Sequence, residues 1–178
     1  FLEKKVLKKI EPTLADWKVH LTTVFPEVRL KSFIELRGAD GGPWSRVCAL
    51  PAFWTGILYD QENLDETWSK INHWKYTEIE NFYQNVRKNG LNTITPDGEK
   101  LSDFTKKIID KSNDGLVRRN IKSNNGNEST FLEPLKKILE SGKSPAEMWK
   151  KLFFSEWNND IDMLYETNYF KVLENEKI

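Results

Sequence analysis

The stretch FPEVRLKSFIELRGADGGPW, residues 25 to 44, decides how the rest of the chain is read. Taken with a period of two from Val28 to Arg37, it places Val28, Leu30, Ser32, Ile34 and Leu36 on one side of a strand. Arg29, Lys31, Phe33, Glu35 and Arg37 fall on the other side, and the run ends in a turn built from Gly38, Gly41, Gly42 and Pro43. Successive side chains on one strand face lie about 6.5 Å apart. Glu35 and Arg37 are therefore neighbours, with Arg29 and Lys31 further along the same face. Antiparallel sheets commonly wet one face, and mixed charge on it is ordinary. The same face also has the chemistry of a phosphoryl-handling wall. A carboxylate holds Mg²⁺, a guanidinium clamps phosphate, and glycines let backbone approach a ligand.

Upstream, a helical turn is expected before Pro12, and DWKVHLTTVF (16 to 25) has the β-branched and aromatic content of a strand. Downstream the pattern turns helical. Ser45 to Tyr59 is apolar almost all round, with Pro51 set to kink it or to sit in its first turn. Residues 64 to 89 carry Leu64, Trp68, Ile71, Trp74, Ile79, Phe82 and Val86 at helical spacing, with Gly90 as a stop. Leu101 to Arg119 repeats the pattern through Phe104, Ile108, Ile109 and Leu116. Thr130 with Glu133, and Ser144 with Pro145 and Glu147, have capping-box spacing; Gly142 closes the helix between them, and one more helix is expected over Ile161 to Leu173. NTITPDGEK (92 to 100) and KSNNGNES (122 to 129) read as surface loops. The fold class is therefore α+β: two or so strands near the N-terminus, then a mainly helical region. Two strands alone make a marginal sheet, so a second copy of the chain or another portion of the protein must complete it.

The 178 residues have the length of one ordinary domain. Lys plus Arg and Asp plus Glu both total 27, so no net field draws the molecule to nucleic acid or to an anionic membrane. The longest apolar run, Val47 to Leu58, is interrupted by Pro51 and falls short of the roughly 20 residues a membrane span needs. Cys48 is the only cysteine, so no disulfide forms within the chain, and a cytoplasmic location is expected. Cys48 itself reads as a structural thiol in an apolar run. His20 and His73 have no metal-binding spacing, and Arg118 and Arg119 suit the last turn of a helix. Trp68, Trp74, Trp149 and Trp157 read as helix core.

The run DWKVHLTTVFPEVRLKSFIELRGADGGPWSRVCALPAFWTGILYD, residues 16 to 60, resembles the glutamate-cysteine ligase family of plant and proteobacterial type. The likeness continues through DGLVRRN (114 to 120), SGKSPAEMWKKLF (141 to 153) and SEWNNDIDMLYE (155 to 166). The resemblance implies a fold like that of glutamine synthetase, with an antiparallel sheet forming a funnel-shaped site. It implies Mg-ATP-dependent joining of the glutamate γ-carboxylate to the cysteine amine, the first step of glutathione synthesis. The family's Glu-x-Arg motif falls on Glu35-Leu36-Arg37, so Glu35 would bind Mg²⁺ and Arg37 would contact the transferred phosphate. Arg29, Lys31, Trp44 and Arg46 match the family's run and are candidates for substrate or nucleotide contact, without individual roles.

Members of the family are much longer. Residues 1 to 178 are expected to be a single C-terminal portion of a larger catalytic domain of the glutamine synthetase type. The other metal ligands, the glutamate-binding arginine and most of the sheet would then lie upstream of Phe1, because one glutamate cannot build two or three Mg²⁺ sites. On this reading the chain alone has little or no ligase activity. Two other readings stand beside it: a related carboxylate-amine ligase acting on a different amine, and a non-catalytic helical interaction module.

Overall fold

The computed structural model describes residues 12–123 and 126–167. The chain divides into two compact units, Phe1–Asp40 and Gly41–Ile178.

In the first unit, α1 (Leu14–Thr22) is followed by an antiparallel hairpin of β1 (Val28–Leu30) and β2 (Ile34–Leu36). The strand expected at 16 to 25 is a helix over most of its length. A local cap overrides its β propensity: the Asp16 amide donates to Thr13 Oγ1 at 3.2 Å, and the Thr13 amide donates back to Asp16 Oδ2 at 2.7 Å. The single strand expected from Val28 to Arg37 is instead folded in half, with Val28 opposite Leu36, Arg29 opposite Glu35 and Leu30 opposite Ile34. Turn residues 31–33 are closed by the Lys31 amide donating to the Phe33 carbonyl at 2.8 Å. The helical turn expected before Pro12 lies outside the described residues.

The second unit is helical: α2 (Trp44–Leu58), α3 (Gln61–Ile71), α4 (Tyr76–Asn89), α5 (Leu101–Arg119), α6 (Glu133–Ser141), α7 (Pro145–Ser155) and α8 (Asp162–Thr167). A two-stranded hairpin, β3 (Lys122–Ser123) and β4 (Gly126–Asn127), joins α5 to a 3₁₀ turn at Glu128–Leu132. The α+β expectation is borne out. The one helix expected over 64 to 89 is two, because Asp60 caps α3 by accepting from the Asn63 amide and α3 ends at Ile71. Glu78 then starts α4 by accepting from the Lys75 amide. Ser144 and Glu147 form the expected capping box, and Gly142 ends α6 at φ 65°. The box expected at Thr130 and Glu133 is absent: the 3₁₀ turn is capped by Asn127, and Thr130 donates to the Asn127 carbonyl. The described part of the last helix ends at Thr167; the remainder of the expectation, to Leu173, lies outside the described residues.

The core of this unit forms where α2 crosses α5. Ala52, Leu116 and Leu132 pack together beneath Phe53, Phe131 and Leu135. The crossing is so close that a Cβ on Gly56 would sit far inside van der Waals distance of the Ser112 carbonyl, and one on Gly115 would meet the Gly56 carbonyl. Asn63, 3% exposed, fills the polar gap at the crossing by donating to the carbonyls of Gly56 (2.9 Å) and Lys111 (2.7 Å). Ser112 donates to the Phe53 carbonyl at 2.8 Å, so the buried polar groups at the contact are paired. Pro51 lies inside α2, where it removes one helical hydrogen bond, and its ring faces solvent. Trp157 is buried, whereas Trp68 is 60% exposed and does not belong to the core expected of it.

Arg118 closes the same corner, donating through Nε and NH2 to the two oxygens of Asp60 at 2.7 and 2.8 Å and through NH2 to Asn63 Oδ1 at 3.2 Å. This fork, with the Asn63 amide, lowers the Asp60 pKa to about 2. Arg119 pairs with Glu128 at 3.0 Å and covers the Tyr59 ring. Both arginines thus brace the helices.

Two outcomes follow for stability. Gly115→Ala forces backbone apart and lowers unfolding free energy by about 3 kcal/mol, whereas Gly41→Ala, where an added Cβ meets nothing within 4 Å, changes it by less than about 0.5 kcal/mol; urea midpoints check both. The folded pKa of Asp60 lies below the ordinary aspartate value of 3.8, so its contribution is present above about pH 4 and is lost as pH falls through about 2. Thermal melts of wild type and Asp60→Asn should therefore differ at neutral pH and converge toward pH 2.

Candidate functional site: a charged hairpin face

The hairpin brings four of the six candidate residues together. Arg29 and Glu35 face each other across the strands, and the turn returns Lys31 and Arg37 to the same side. Arg29 is therefore directly opposite Glu35 and not further along one strand, as the linear reading had it. Face parity survives because the fold pairs residues whose numbers sum to 64, so odd positions still meet odd positions.

Glu35 is the hub. Arg29 Nε donates to Oε2 at 2.7 Å, Arg37 NH1 donates to Oε1 at 3.0 Å, and Lys31 Nζ stands 3.7 Å from Oε2. The hydrogen bond from Arg29, reinforced by the charges of Arg29, Lys31 and Arg37, holds the Glu35 carboxyl below the ordinary range, against a smaller opposing effect of desolvation. Three cations around one carboxylate leave an excess of positive charge on this face. Arg29 is anchored further by NH1, which donates to the carbonyls of Thr22 and Val24. Phe25 lies beneath two guanidinium groups, with its ring centroid 4.7 Å from Arg37 Cζ and 5.8 Å from Arg29 Cζ. The sequence reading missed Phe25: one aromatic ahead of a strand has no diagnostic spacing, and only the hairpin fold stacks it.

Trp44 and Arg46 occupy the first turn of α2, in the helical unit. Trp44 is 57% exposed, and the Arg46 side chain folds back over Gly42. Cys48 is half-buried on the same helix. His73 and Trp74 both bond Asp97, at 2.8 and 2.9 Å, which pins the loop before α5 to the start of α4. The helical unit also has an open cleft of about 400 Å³ between α5 and α6, where Lys106 and Asp110 already pair with each other.

The fit of Mg²⁺ rests on Glu35. Among the described residues no three His, Cys, Asp or Glu side chains converge. Both oxygens of Glu35 are bonded to guanidinium groups, so in this conformation one carboxylate among three cations does not fit a divalent cation. The arrangement suits an anion.

Comparison with known proteins adds the lineage. The sequence model of glutamate-cysteine ligase family 2 matches residues 3–167. The chain is 43% identical over 155 residues to glutamate-cysteine ligase A, chloroplastic, of Oryza sativa subsp. indica, covering 87% of this chain and 30% of that protein. Identity to glutamate-cysteine ligase, chloroplastic, is 43% for Medicago truncatula and 41% for Arabidopsis thaliana, each over 87% of this chain and under a third of the relative (29% and 28%). The chain thus spans about 30% of the length of the curated relatives it matches. These names overturn the cytoplasmic expectation, since all three relatives are chloroplastic. An unpaired cysteine separates reducing from oxidising compartments but not one reducing compartment from another. No helix among the described residues is long and apolar enough to cross a membrane.

Because the Glu35 pKa is depressed, its ion pairs stabilise the hairpin above the ordinary carboxyl value of 4.5 and are lost as pH falls below it. Amide-exchange protection of Arg29 and Arg37, whose amides point across the hairpin, should drop below that pH in the wild type and show no such step in Glu35→Gln.

Proposed function

The chain belongs to glutamate-cysteine ligase family 2, and from that membership we propose that it forms part of the site at which a longer protein joins the γ-carboxylate of glutamate to the amine of cysteine. Glutamate-cysteine ligases depend on ATP in general. One observation carries the reading to particular residues: a hairpin that converges Arg29, Lys31 and Arg37 on Glu35 and leaves donors of Arg37 unused.

A carboxylate is a poor acyl donor, because its leaving group would be an oxide. Transfer of the ATP γ-phosphoryl group to the glutamate carboxylate replaces that oxide with phosphate, and the cysteine amine then displaces phosphate to form the amide. The charge that must be held during both steps sits on phosphoryl oxygens. Arg37 meets it with the N–H groups that Glu35 does not use, and Lys31, whose side chain is 39% exposed, adds a second positive charge nearby. Arg29 is largely committed to Glu35 and to backbone carbonyls, so its part is to hold the face in shape. Trp44 and Arg46 supply substrate or nucleotide contacts from the first turn of α2.

Mg²⁺ does not fit the described residues alone. Glu35 serves as a metal ligand only where carboxylates from outside the described residues join it and displace a guanidinium. The two units belong to one larger catalytic domain, and strands beyond the β1–β2 pair complete the sheet.

The test is kinetic. In the longer protein, Arg37→Ala should lower kcat/KM for glutamate-cysteine ligation by about 100-fold or more, with Arg37→Lys recovering little because a point charge lacks the planar fork. An unchanged kcat/KM would remove Arg37 from the site. Glu35→Gln separates the two roles of the carboxylate: a changed Mg²⁺ dependence of kcat marks a ligand, and lost activity with unchanged Mg²⁺ dependence marks a residue that only orients cations. The purified 178-residue chain should show little or no turnover.

A further inference from the structure

We propose that Phe25 is a positioning residue, whose ring, together with the Glu35 carboxylate, presents the outer edge of the Arg37 guanidinium to a tetrahedral oxyanion such as a phosphoryl group. The proposal deepens the reading of Arg37 given above and rests on it.

Arg37 is fixed at three points. Its backbone amide donates to the Glu27 carbonyl at 2.8 Å, NH1 donates to Glu35 Oε1 at 3.0 Å, and Cζ lies over the Phe25 ring, 4.7 Å from its centroid. These contacts restrain the root, one edge and the centre of the group. Its Nε and NH2 have no partner among the described residues. Those two nitrogens form the side fork of a guanidinium, whose parallel N–H bonds match two oxygens of a phosphate. A flexible arginine must lose rotamer freedom before it can bind with both donors; here the ring and carboxylate have already removed much of it.

Arg29 contributes differently. Nε is spent on Glu35, and NH1 on the Thr22 and Val24 carbonyls. These carbonyls flank Thr23 just before Phe25, so Arg29 ties the segment carrying the ring to the strand carrying Glu35. Arg29 is a strut and Arg37 the binding group, although sequence alone places both on one charged face. Phe25 is 68% exposed, which is unremarkable for a lone surface aromatic. Its place beneath two guanidinium groups that share one carboxylate distinguishes it.

The experiment uses ¹⁵N-labelled 178-residue chain, observing arginine Nε–H resonances and titrating with inorganic phosphate; Arg37→Ala identifies the Arg37 signal. In the wild type that signal should be ring-current-shifted and move with phosphate. Phe25→Ala should abolish the ring-current shift and weaken the phosphate response of Arg37 about 3-fold, the size expected of an exposed cation–π contact. Phe25→Tyr, which keeps the ring, should restore both. Phe25→Leu keeps apolar bulk without a π face and should behave as Phe25→Ala, which separates positioning from loss of structure. Unchanged Arg37 signals and phosphate response in both Phe25→Ala and Phe25→Leu overturn the positioning role alone. No response of Arg37 to phosphate in the wild type overturns the phosphate reading of Arg37 and the proposal with it.

Discussion

The charged face of the hairpin depends on the carboxylate of Glu35. Without it, Arg29, Lys31 and Arg37 would be three like charges gathered on one short hairpin, and the hairpin would lose the cross-strand pair at its centre. With it, Arg29 is drawn inward to the carbonyls at the end of α1, and Arg37 is held by one edge with the other left open. Two short strands and a nine-residue helix with no buried residue gain order from this polar cluster, since they have little core of their own.

The helical unit is organised by a different constraint, the backbone contact of Gly56 with Gly115. That approach brings α2 and α5 close enough for Asn63 to bridge them and for Leu116 and Leu132 to be fully covered. Asp60 then performs two tasks with one carboxylate: it caps α3 and receives the Arg118 fork. The first turn of α2, with Trp44 and Arg46, is thereby mounted on one of the two helices that cross at the core of this unit. A rigid support suits the contacts proposed for that turn.

Much of this was legible in the sequence where local chemistry is decisive. The α5 boundaries, the Ser144 cap and the Gly142 stop follow from periodicity and capping alone. Reading went astray where a cap competes with propensity: Thr13 and Asp16 turn a β-rich segment into a helix, and Asp60 with Glu78 divides one long pattern into two helices. The clustering of Arg29, Lys31, Glu35 and Arg37 could be read from alternation, because the hairpin fold preserves the parity of the single strand first expected. Their unequal duties could not. Which guanidinium is spent on carbonyls and which keeps a free edge depends on Thr22, Val24 and Phe25, whose contacts exist only after α1 and the hairpin have folded. The pairing of Arg118 with Asp60 was hidden for a similar reason, since 58 residues separate them. The cytoplasmic expectation failed for want of any signal: nothing in the 178 residues distinguishes a cytosol from a chloroplast.

In the proposed reaction the open edge of Arg37 receives the phosphoryl group as it passes to the carboxylate of glutamate. The most direct test is a rapid-quench measurement of glutamate-dependent phosphate transfer from ATP in the longer protein, with cysteine omitted so that amide formation cannot mask the first step. Wild type should show a burst of transfer that Arg37→Ala slows by about 100-fold, with nucleotide binding little changed. An undiminished burst in that variant would contradict it.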